Sequence, residues 1–386
     1  MPFHLTTLFP LPLGARGISY TCVSILKHME STDFHVSLVV PKANLPRPPS
    51  FVRPSASFPL DRLPFRYFER YFIRSYTAKL LEEAISADAV YLWSEIPIAL
   101  SRRLRELPVP VIREKFNSHK RVSNTILAAA YDRLHWPCPD LIPSELLEKE
   151  SEELALADYV FVSNPHAAQS LLDEGVPEHK LLRTSYGWDP ERIRTKARAE
   201  EHTGDLVYLF VGRACVRKGV PFLLEAWRRA RIAGKLLLAG DVDQELVDRC
   251  YHLLTQDNVE LLGHVDDISP VYERADVFVF PSLEEGGPLV TIEAMAQGLP
   301  SIVSSMGGAG VMRHGLDGLE VDPFDIDAMS DALKALAEEN EMRRQFGASA
   351  REQALRFTWE QVGQRRRLAV QRAVAGKRRD GHRRGA

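Results

Sequence analysis

The sequence predicts an α/β fold of two Rossmann-like domains, each a parallel sheet with helices on both faces. Short β-branched apolar runs alternate with amphipathic helical patterns along nearly the whole chain, as parallel strands joined by crossover helices require. The alternation occurs twice, with a charged, turn-rich break between the two passes. The 386 residues also exceed what a single hydrophobic core comfortably organises.

In the first pass the strand candidates are FHLTTLF (3–9), FHVSLVV (34–40), AVYLW (89–93), VPVIREK (109–115) and YVFVS (159–163). In the second they are LVYLFVG (206–212), KLLLAG (235–240), VELLGHV (259–265), VFVFPS (277–282) and PSIVSS (300–305). Patterns such as VPFLLEAWRRAR and IDAMSDALKALAEE read as the helices between strands. The join lies near TSYGWDPERIRTKARAEEHTGD (184–205), which divides the chain into 1–190 and 191–360. Two segments depart from the alternation. Residues 41–64 are proline-rich and read as an irregular loop. Residues 65–84 read as a helix with interleaved aromatic and basic side chains. The basic C-terminus is expected to fray into glycine.

The composition is that of an ordinary globular protein, 45% hydrophobic and 26% charged. A net charge of -3 supplies no global basic field, so a nucleic-acid partner is not expected. Cys22, Cys138, Cys215 and Cys250 are scattered and read as reduced, mostly buried thiols, with no zinc site. The N-terminal stretch has no early Lys or Arg and is interrupted by prolines, a poor signal peptide. No apolar run approaches the ~20 residues of a membrane span. A cytoplasmic protein is expected, free or peripheral to the inner membrane face. Arg66, Arg70, Arg74 and Lys79 beside Phe68, Tyr71 and Phe72 suit contact with an anionic membrane. The alternative is a helix packed on its own domain with a solvated basic face.

Open parallel sheets bind ligands beyond the carboxyl ends of their strands. After the strand at 206–212 comes RACVRKG, with Arg213 and Lys218 between Gly212 and Gly219. Two cations a turn apart beside exposed amides suit a diphosphate, unless this is simply a solvated loop. After the strand at 277–282 comes LEEGG and a helix starting near Pro288. Gly286, Gly287 and Pro288 there leave N–H groups free at the positive end of a helix dipole, an anion cradle. Glu285, beside the cradle, is placed to accept from hydroxyls, and Glu293, further along the helix, from a vicinal diol such as a ribose. The plain alternative is a strand–helix turn with one capping acid.

In combination these stretches resemble the retaining GT-B glycosyltransferases of glycosyltransferase family 4. EEGGPLVTIE is similar to that family's E-x7-E signature, VGRACVRKG to its phosphate loop, LLLAGD to its following strand end, and LLGHVDDISPVYERADVFVFPS to its base-contacting segment. SYGWD resembles its hinge and FTWEQV its final aromatic helix. The C-terminal half is covered nearly end to end; the N-terminal half resembles the family only in plan. The resemblance implies two domains facing across a cleft, with 361–386 forming a helix that returns to the N-terminal domain and a basic tail. It implies that Arg213 and Lys218 hold the donor diphosphate, Glu285 binds the transferred sugar and Glu293 the ribose. Backbone at Pro288, Leu289 and Val290 would complete the phosphate site, and His264 with Val265 would flank the base. The activity implied is transfer of a hexose-type sugar from a nucleotide-sugar donor to a hydroxyl of a glycan, lipid-linked or small-molecule acceptor. Anomeric configuration is retained, and neither metal nor cofactor is needed.

His119 is the candidate for the N-terminal-domain histidine that faces the reacting sugar in the family. Gly14 and Gly17 in PLGARG are candidates for approach to phosphate or acceptor, against a plain turn. Trp93 reads as a buried tryptophan. Gly287-Pro288 replaces the family's usual Phe-Gly, and SSMGGAGVMRHGLDG lacks the family's glutamate. An NAD-dependent oxidoreductase needs G-x-G-x-x-G after a strand; GGAGVMRHG is the nearest approach and fails at Arg313. A GT-B enzyme of other chemistry, an epimerase or a phosphorylase, is the remaining alternative.

Overall fold

The computed structural model describes residues 2–57, 59–93, 96–139, 141–194 and 205–384, with side chains as far as Lys377. Thirteen strands and fourteen α-helices alternate along it. The N-terminal domain holds β1 (Phe3–Leu8), α1 (Gly17–Met29), β2 (Phe34–Val40), β3 (Val52–Pro54), α2 (Glu69–Ala84), β4 (Ala89–Leu92) and α3 (Ile98–Arg105). It continues with β5 (Val111–Lys115), α4 (Lys120–Leu134), α5 (Ser144–Leu156), β6 (Tyr159–Val162), α6 (Pro165–Asp173) and β7 (Leu181–Arg183). The C-terminal domain holds β8 (Leu206–Val211), α7 (Val220–Ala230), β9 (Gly234–Ala239), α8 (Gln244–Leu254), β10 (Val259–Gly263), α9 (Ser269–Arg274), β11 (Val277–Phe280) and α10 (Leu289–Ala296). It ends with β12 (Ser301–Val303), α11 (Ser305–Gly308), β13 (Gly318–Glu320), α12 (Ile326–Glu338) and α13 (Asn340–Ala354), before α14 (Trp359–Arg384).

The two sheets run in the orders β3-β2-β1-β4-β5-β6-β7 and β10-β9-β8-β11-β12-β13. Every ladder within them is parallel. Strand order reverses between β1 and β4 in the first sheet and between β8 and β11 in the second. A crevice opens at such a switch point. The loops after β8 and β11, the two singled out for chemistry, therefore leave from neighbouring strands.

All ten expected strands form, with ends trimmed by a residue or two. Three more, β3, β7 and β13, are only three residues long each. β3 interrupts the stretch expected to be irregular, so residues 41–64 are not loop throughout. The helix expected over 65–84 is also corrected. A 3-10 turn at Phe65–Tyr67 comes first, and α2 begins at Glu69. The expected fraying into glycine is not seen as far as Arg384, since α14 runs through Gly376 to that residue; residues 385–386 lie outside the described residues. Of the expected join, residues 195–204 lie outside the described residues.

The chain crosses between the domains twice, at residues 184–188 and 355–359, and the crossings pair with each other. Trp188 N donates to Phe357 O at 3.0 Å, and Trp359 N to Trp188 O at 3.1 Å. From there α14 packs against α1. Its Arg366, fully buried, donates to the equally buried Glu114 of β5 at 2.8 and 3.1 Å. Tyr91 and Tyr186 both give their hydroxyls to the same carboxylate. Burial works against the guanidinium charge, but Glu114 outweighs it and raises the Arg366 pKa. Trp93 is fully buried among Phe9, Tyr91 and Phe116. α2 turns Phe72, Tyr76, Leu80 and Ala84 inward and leaves Arg70 and Arg74 exposed, as are Arg66, Tyr67 and Phe68 just before it. Cys22 and Cys250 are buried and Cys138 is exposed. Among the described residues no helix is long and apolar enough to cross a membrane.

Candidate functional site

The site is assembled from the loops after β8 and β11. The first leaves β8 at Gly212, whose φ of 136° is open to glycine and strained for other residues. It then tightens into a 3-10 turn over Val216–Lys218 and enters α7 through Gly219 at φ 71°. A Cβ at Gly219 would stand 2.0 Å from the Pro281 carbonyl oxygen, so glycine is what lets the two loops lie against each other. Leu283 N donates to Arg217 O at 2.9 Å and fastens them.

This contact aims Lys218 at the second loop. Its ammonium pairs with a carboxylate oxygen of Glu285 and lies 5.0 Å from the centroid of the Phe280 ring. The Ser282 hydroxyl donates to the same Glu285 oxygen at 3.1 Å. Burial, reinforced by the charge on Arg217, pulls the Lys218 pKa down to about 7. Both charged groups are largely buried, so their mutual field is weakly screened. A polyanion arriving here would meet a cation held at the turn by backbone, with α10 just beyond. Pro288 is the N-cap of α10, one residue outside the helix, and Leu289 and Val290 form its first turn with their N–H groups pointing out of the helix end.

The other expected residues are placed as follows. Arg213 is exposed and paired with Asp243. Glu293 is buried on α10; Tyr272 donates to one of its oxygens at 3.2 Å, and Arg192 lies 3.7 Å from the other. Burial pushes the Glu293 pKa up against the opposing pull of Arg192 and Tyr272. His264 and Val265 follow β10, and His264 is engaged from across the cleft by Arg16, at 3.1 Å. Arg16 also pairs with Asp266 at 2.7 Å and sits between Gly14 and Gly17. Gly17 has φ 58° and starts α1, and nothing lies within 4 Å of where a Cβ would stand at either glycine. The glycine loop and the base-side segment are thereby joined.

His119 does not join this cluster. It caps α4, its ring nitrogen accepting from Arg121 N at 3.3 Å, and is 1% exposed. Glu150 lies 3.5 Å from its other nitrogen. Burial lowers its pKa.

Several contributors were not singled out by sequence. Arg217, beside Lys218, donates to the Glu284 carbonyl at 2.8 Å. The carboxylate of Glu284, buried, reaches the other domain and accepts from Asn117 Nδ2 and Ser118 N, each at 2.9 Å. Asn164, at the start of α6, donates to Glu285 O at 3.2 Å and Met306 O at 3.1 Å. Gly286 meets the Phe116 carbonyl and Gly287 the Tyr186 ring. The loop carrying Glu285 is thus clasped by the N-terminal domain.

Residues 205–339 match the family model described as Glycosyl transferases group 1. Among curated proteins, an uncharacterized glycosyltransferase of Methanocaldococcus jannaschii is 31% identical over 183 residues, covering 45% of this chain and 47% of that protein. The chain spans about half the length, or less, of the curated relatives it matches. Among solved structures, a sucrose-phosphate synthase from Thermosynechococcus elongatus superposes with TM-score 0.71 at 19% identity, over 97% of this chain and all of that one. HepE of Anabaena, solved in complex with UDP and glucose, superposes with TM-score 0.66 at 15% identity, over 96% and 99%. The chain therefore has the GT-B fold, and its second domain is similar to the group 1 glycosyl transferases across the segment that carries Arg213, Lys218, Glu285 and Glu293.

Proposed function

We propose that the protein is a retaining glycosyltransferase that moves a hexose-type sugar from a nucleoside diphosphate sugar to a hydroxyl of a glycan, lipid-linked or small-molecule acceptor. The observation that carries this reading is the convergence of Lys218, Glu285 and Ser282 at the start of α10, inside the segment that matches the group 1 family. A donor diphosphate replaces Glu285 as the partner of Lys218 and frees that carboxylate for the sugar hydroxyls. Arg213 exchanges Asp243 for the same diphosphate, an exposed pair that gives up little stability on breaking. Both cations then stabilise the diphosphate as it leaves with more negative charge, so no metal is required. Glu293 takes the ribose, and His264 with Val265 flanks the base. The UDP and glucose bound by the Anabaena protein support a nucleoside diphosphate hexose as donor.

The test is calorimetric binding of the bare nucleoside diphosphate beside turnover of the full donor. Lys218→Ala and Arg213→Ala lower kcat and weaken donor binding, by about 10²-fold or more in kcat/KM. Glu285→Gln cripples transfer and leaves affinity for the nucleoside diphosphate nearly unchanged. Full transfer by Glu285→Gln, or activity lost to chelator and restored by a divalent metal, sinks the reading.

A second reading concerns location. Tyr67 is 68% exposed and Phe68 42%, beside the exposed Arg66 and Arg70, a rim of the kind that settles on an anionic bilayer. Flotation with anionic liposomes, repeated after charge reversal at Arg66 and Arg70, decides it: equal flotation of both proteins, or none, removes the membrane contact.

A further inference from the structure

A second cationic site lies at the hinge. A cavity of about 320 Å³ opens between the two crossings, lined by Arg183, Thr184, Ser185, Arg356, Phe357 and Arg365. Three elements contribute: the end of β7, the turn before α14, and α14 itself. Arg365 is the centrepiece. Its guanidinium donates to Arg356 O at 2.8 Å and lies 3.4 Å from the Ser185 hydroxyl, touching both crossings at once.

The charges there are not balanced. Arg183 is paired with Glu178. Among the described residues neither Arg356 nor Arg365 has a carboxylate partner; Arg356 reaches only Gln353, at 3.5 Å. Burial lowers the Arg365 pKa, and the like charges of Arg356 and Arg366 lower it further. Guanidiniums that crowd one concavity without acids are each other's burden until an anion enters. The planar fork of Arg matches phosphate oxygens in pairs. Thr184 and Ser185 add hydroxyls, and the Phe357 ring, 5.8 Å from the Arg365 guanidinium, adds an apolar wall. Nothing in this cavity is shared with the Lys218 site.

We propose that the hinge cavity binds a small phosphate monoester, its phosphate held by Arg356 and Arg365 with Arg183 at the rim, and its hydroxylated carbon skeleton against Thr184, Ser185 and Phe357. Because Arg356 follows the C-terminal domain and Arg365 rides on a helix docked to the N-terminal domain, the ligand ties the two crossings together. Its presence therefore alters how readily the domains hinge, and with it the rate of any reaction in the cleft.

The probe is glucose 6-phosphate, titrated into the whole protein by calorimetry with UDP at saturation, beside glucose and inorganic phosphate. A Kd of about 1 mM or tighter is expected for the ester, with glucose silent and inorganic phosphate weaker. Arg356→Ser with Arg365→Ser weakens the ester by about a hundredfold through two lost charge-assisted contacts, while the melting temperature holds and UDP binds as before. Should that pair misfold, Arg356→Gln alone, at an exposed position, weakens the ester by about tenfold. Lys218→Ala leaves ester binding unchanged, which also reads the hinge separately if UDP itself fails to bind. Absence of ester binding, its survival in the hinge variants, or its loss with Lys218→Ala overturns the site. Equal binding of inorganic phosphate overturns the monoester assignment.

Discussion

The ring of Tyr186 stands where a side chain at Gly287 would have to be: a Cβ there would lie 2.6 Å from Tyr186 Cδ2. Position 287, which the resemblance to glycosyltransferase family 4 would fill with phenylalanine, is glycine in this chain, and an aromatic ring from the hinge covers it. The same ring carries the hydroxyl that donates to Glu114 at 2.9 Å, so the loop carrying Glu285 and Gly287 rests on the buried Glu114–Arg366 pair.

Gly286 is the tighter contact, since a Cβ there would fall 0.9 Å from the Phe116 carbonyl oxygen, a backbone atom that cannot turn aside. Gly286→Ala is expected to hold the domains apart, lowering transfer by about 10²-fold through misplacement across the cleft. Nucleoside diphosphate binding should change little. Gly287→Phe should do the same, with partial recovery when combined with Tyr186→Ala, since the two side chains compete for one space. Small-angle scattering of the variants, set beside turnover, checks both; wild-type turnover in Gly286→Ala refutes the clasp.

Lys218 sets a pH dependence. Its pKa near 7 in the free protein leaves it largely uncharged in mildly alkaline solution. A bound diphosphate favours the ammonium, so binding takes up a proton above that pKa. Affinity for a nucleoside diphosphate is expected to fall as pH rises through 7, by up to about tenfold per pH unit. Calorimetry in two buffers of different ionisation heat measures the uptake. Lys218→Arg, permanently charged, should lose this dependence, and a wild-type affinity flat across the range contradicts the assignment.

Glu284 joins the domains through Asn117 and Ser118. Glu284→Ala leaves those two donors without their acceptor, while Arg217 keeps the main-chain carbonyl at 2.8 Å. The expected result is a more open resting state and a transfer rate lower by about tenfold or more, from about 1.5–3 kcal/mol for hydrogen bonds to a charge. Glu285→Gln should instead abolish transfer without opening the cleft. Scattering profiles of the two variants separate the roles, and identical profiles would count against the latch.

The Arg366–Glu114 pair makes a stability prediction. Arg366→Met strands a buried carboxylate and should destabilise the N-terminal domain by about 3–5 kcal/mol in chemical denaturation. Adding Glu114→Gln should recover much of that loss, because the uncompensated charge goes. If the double variant is no more stable than the single, the penalty lies in packing.

The second domain was the more legible half because its chemistry sits in contiguous loops. VGRACVRKG and EEGGPLVTIE each carry turn glycines and charged groups within a few residues, so spacing alone points to a site. Partners from the other domain leave no such trace. Arg16 and His264 are 248 positions apart, and Glu284 is indistinguishable in sequence from Glu285 although the two face different ways. β3, β7 and β13 were missed because three residues are too few to show a period of two. A histidine placed after a strand end, as His119 is, reads alike in sequence whether it faces a cleft or caps a helix. Its enclosure by Glu150 and Ser170, whose hydroxyl accepts from His119 N at 2.8 Å, emerges only from tertiary packing.

The docking of α14 on α1 bears on the order in which the chain matures. Trp359 Nε1 donates to the Tyr20 hydroxyl at 3.0 Å across 339 positions of sequence, and Val362, Val370 and Val374 fill the same core as Leu5 and Cys22. While the nascent chain lengthens, the first sheet lacks this cover and Glu114 lacks its cation. The domain begun first therefore finishes last, after the second sheet has formed, and a ribosome stalled before Trp359 would present a half-built domain with its apolar groove open to chaperones.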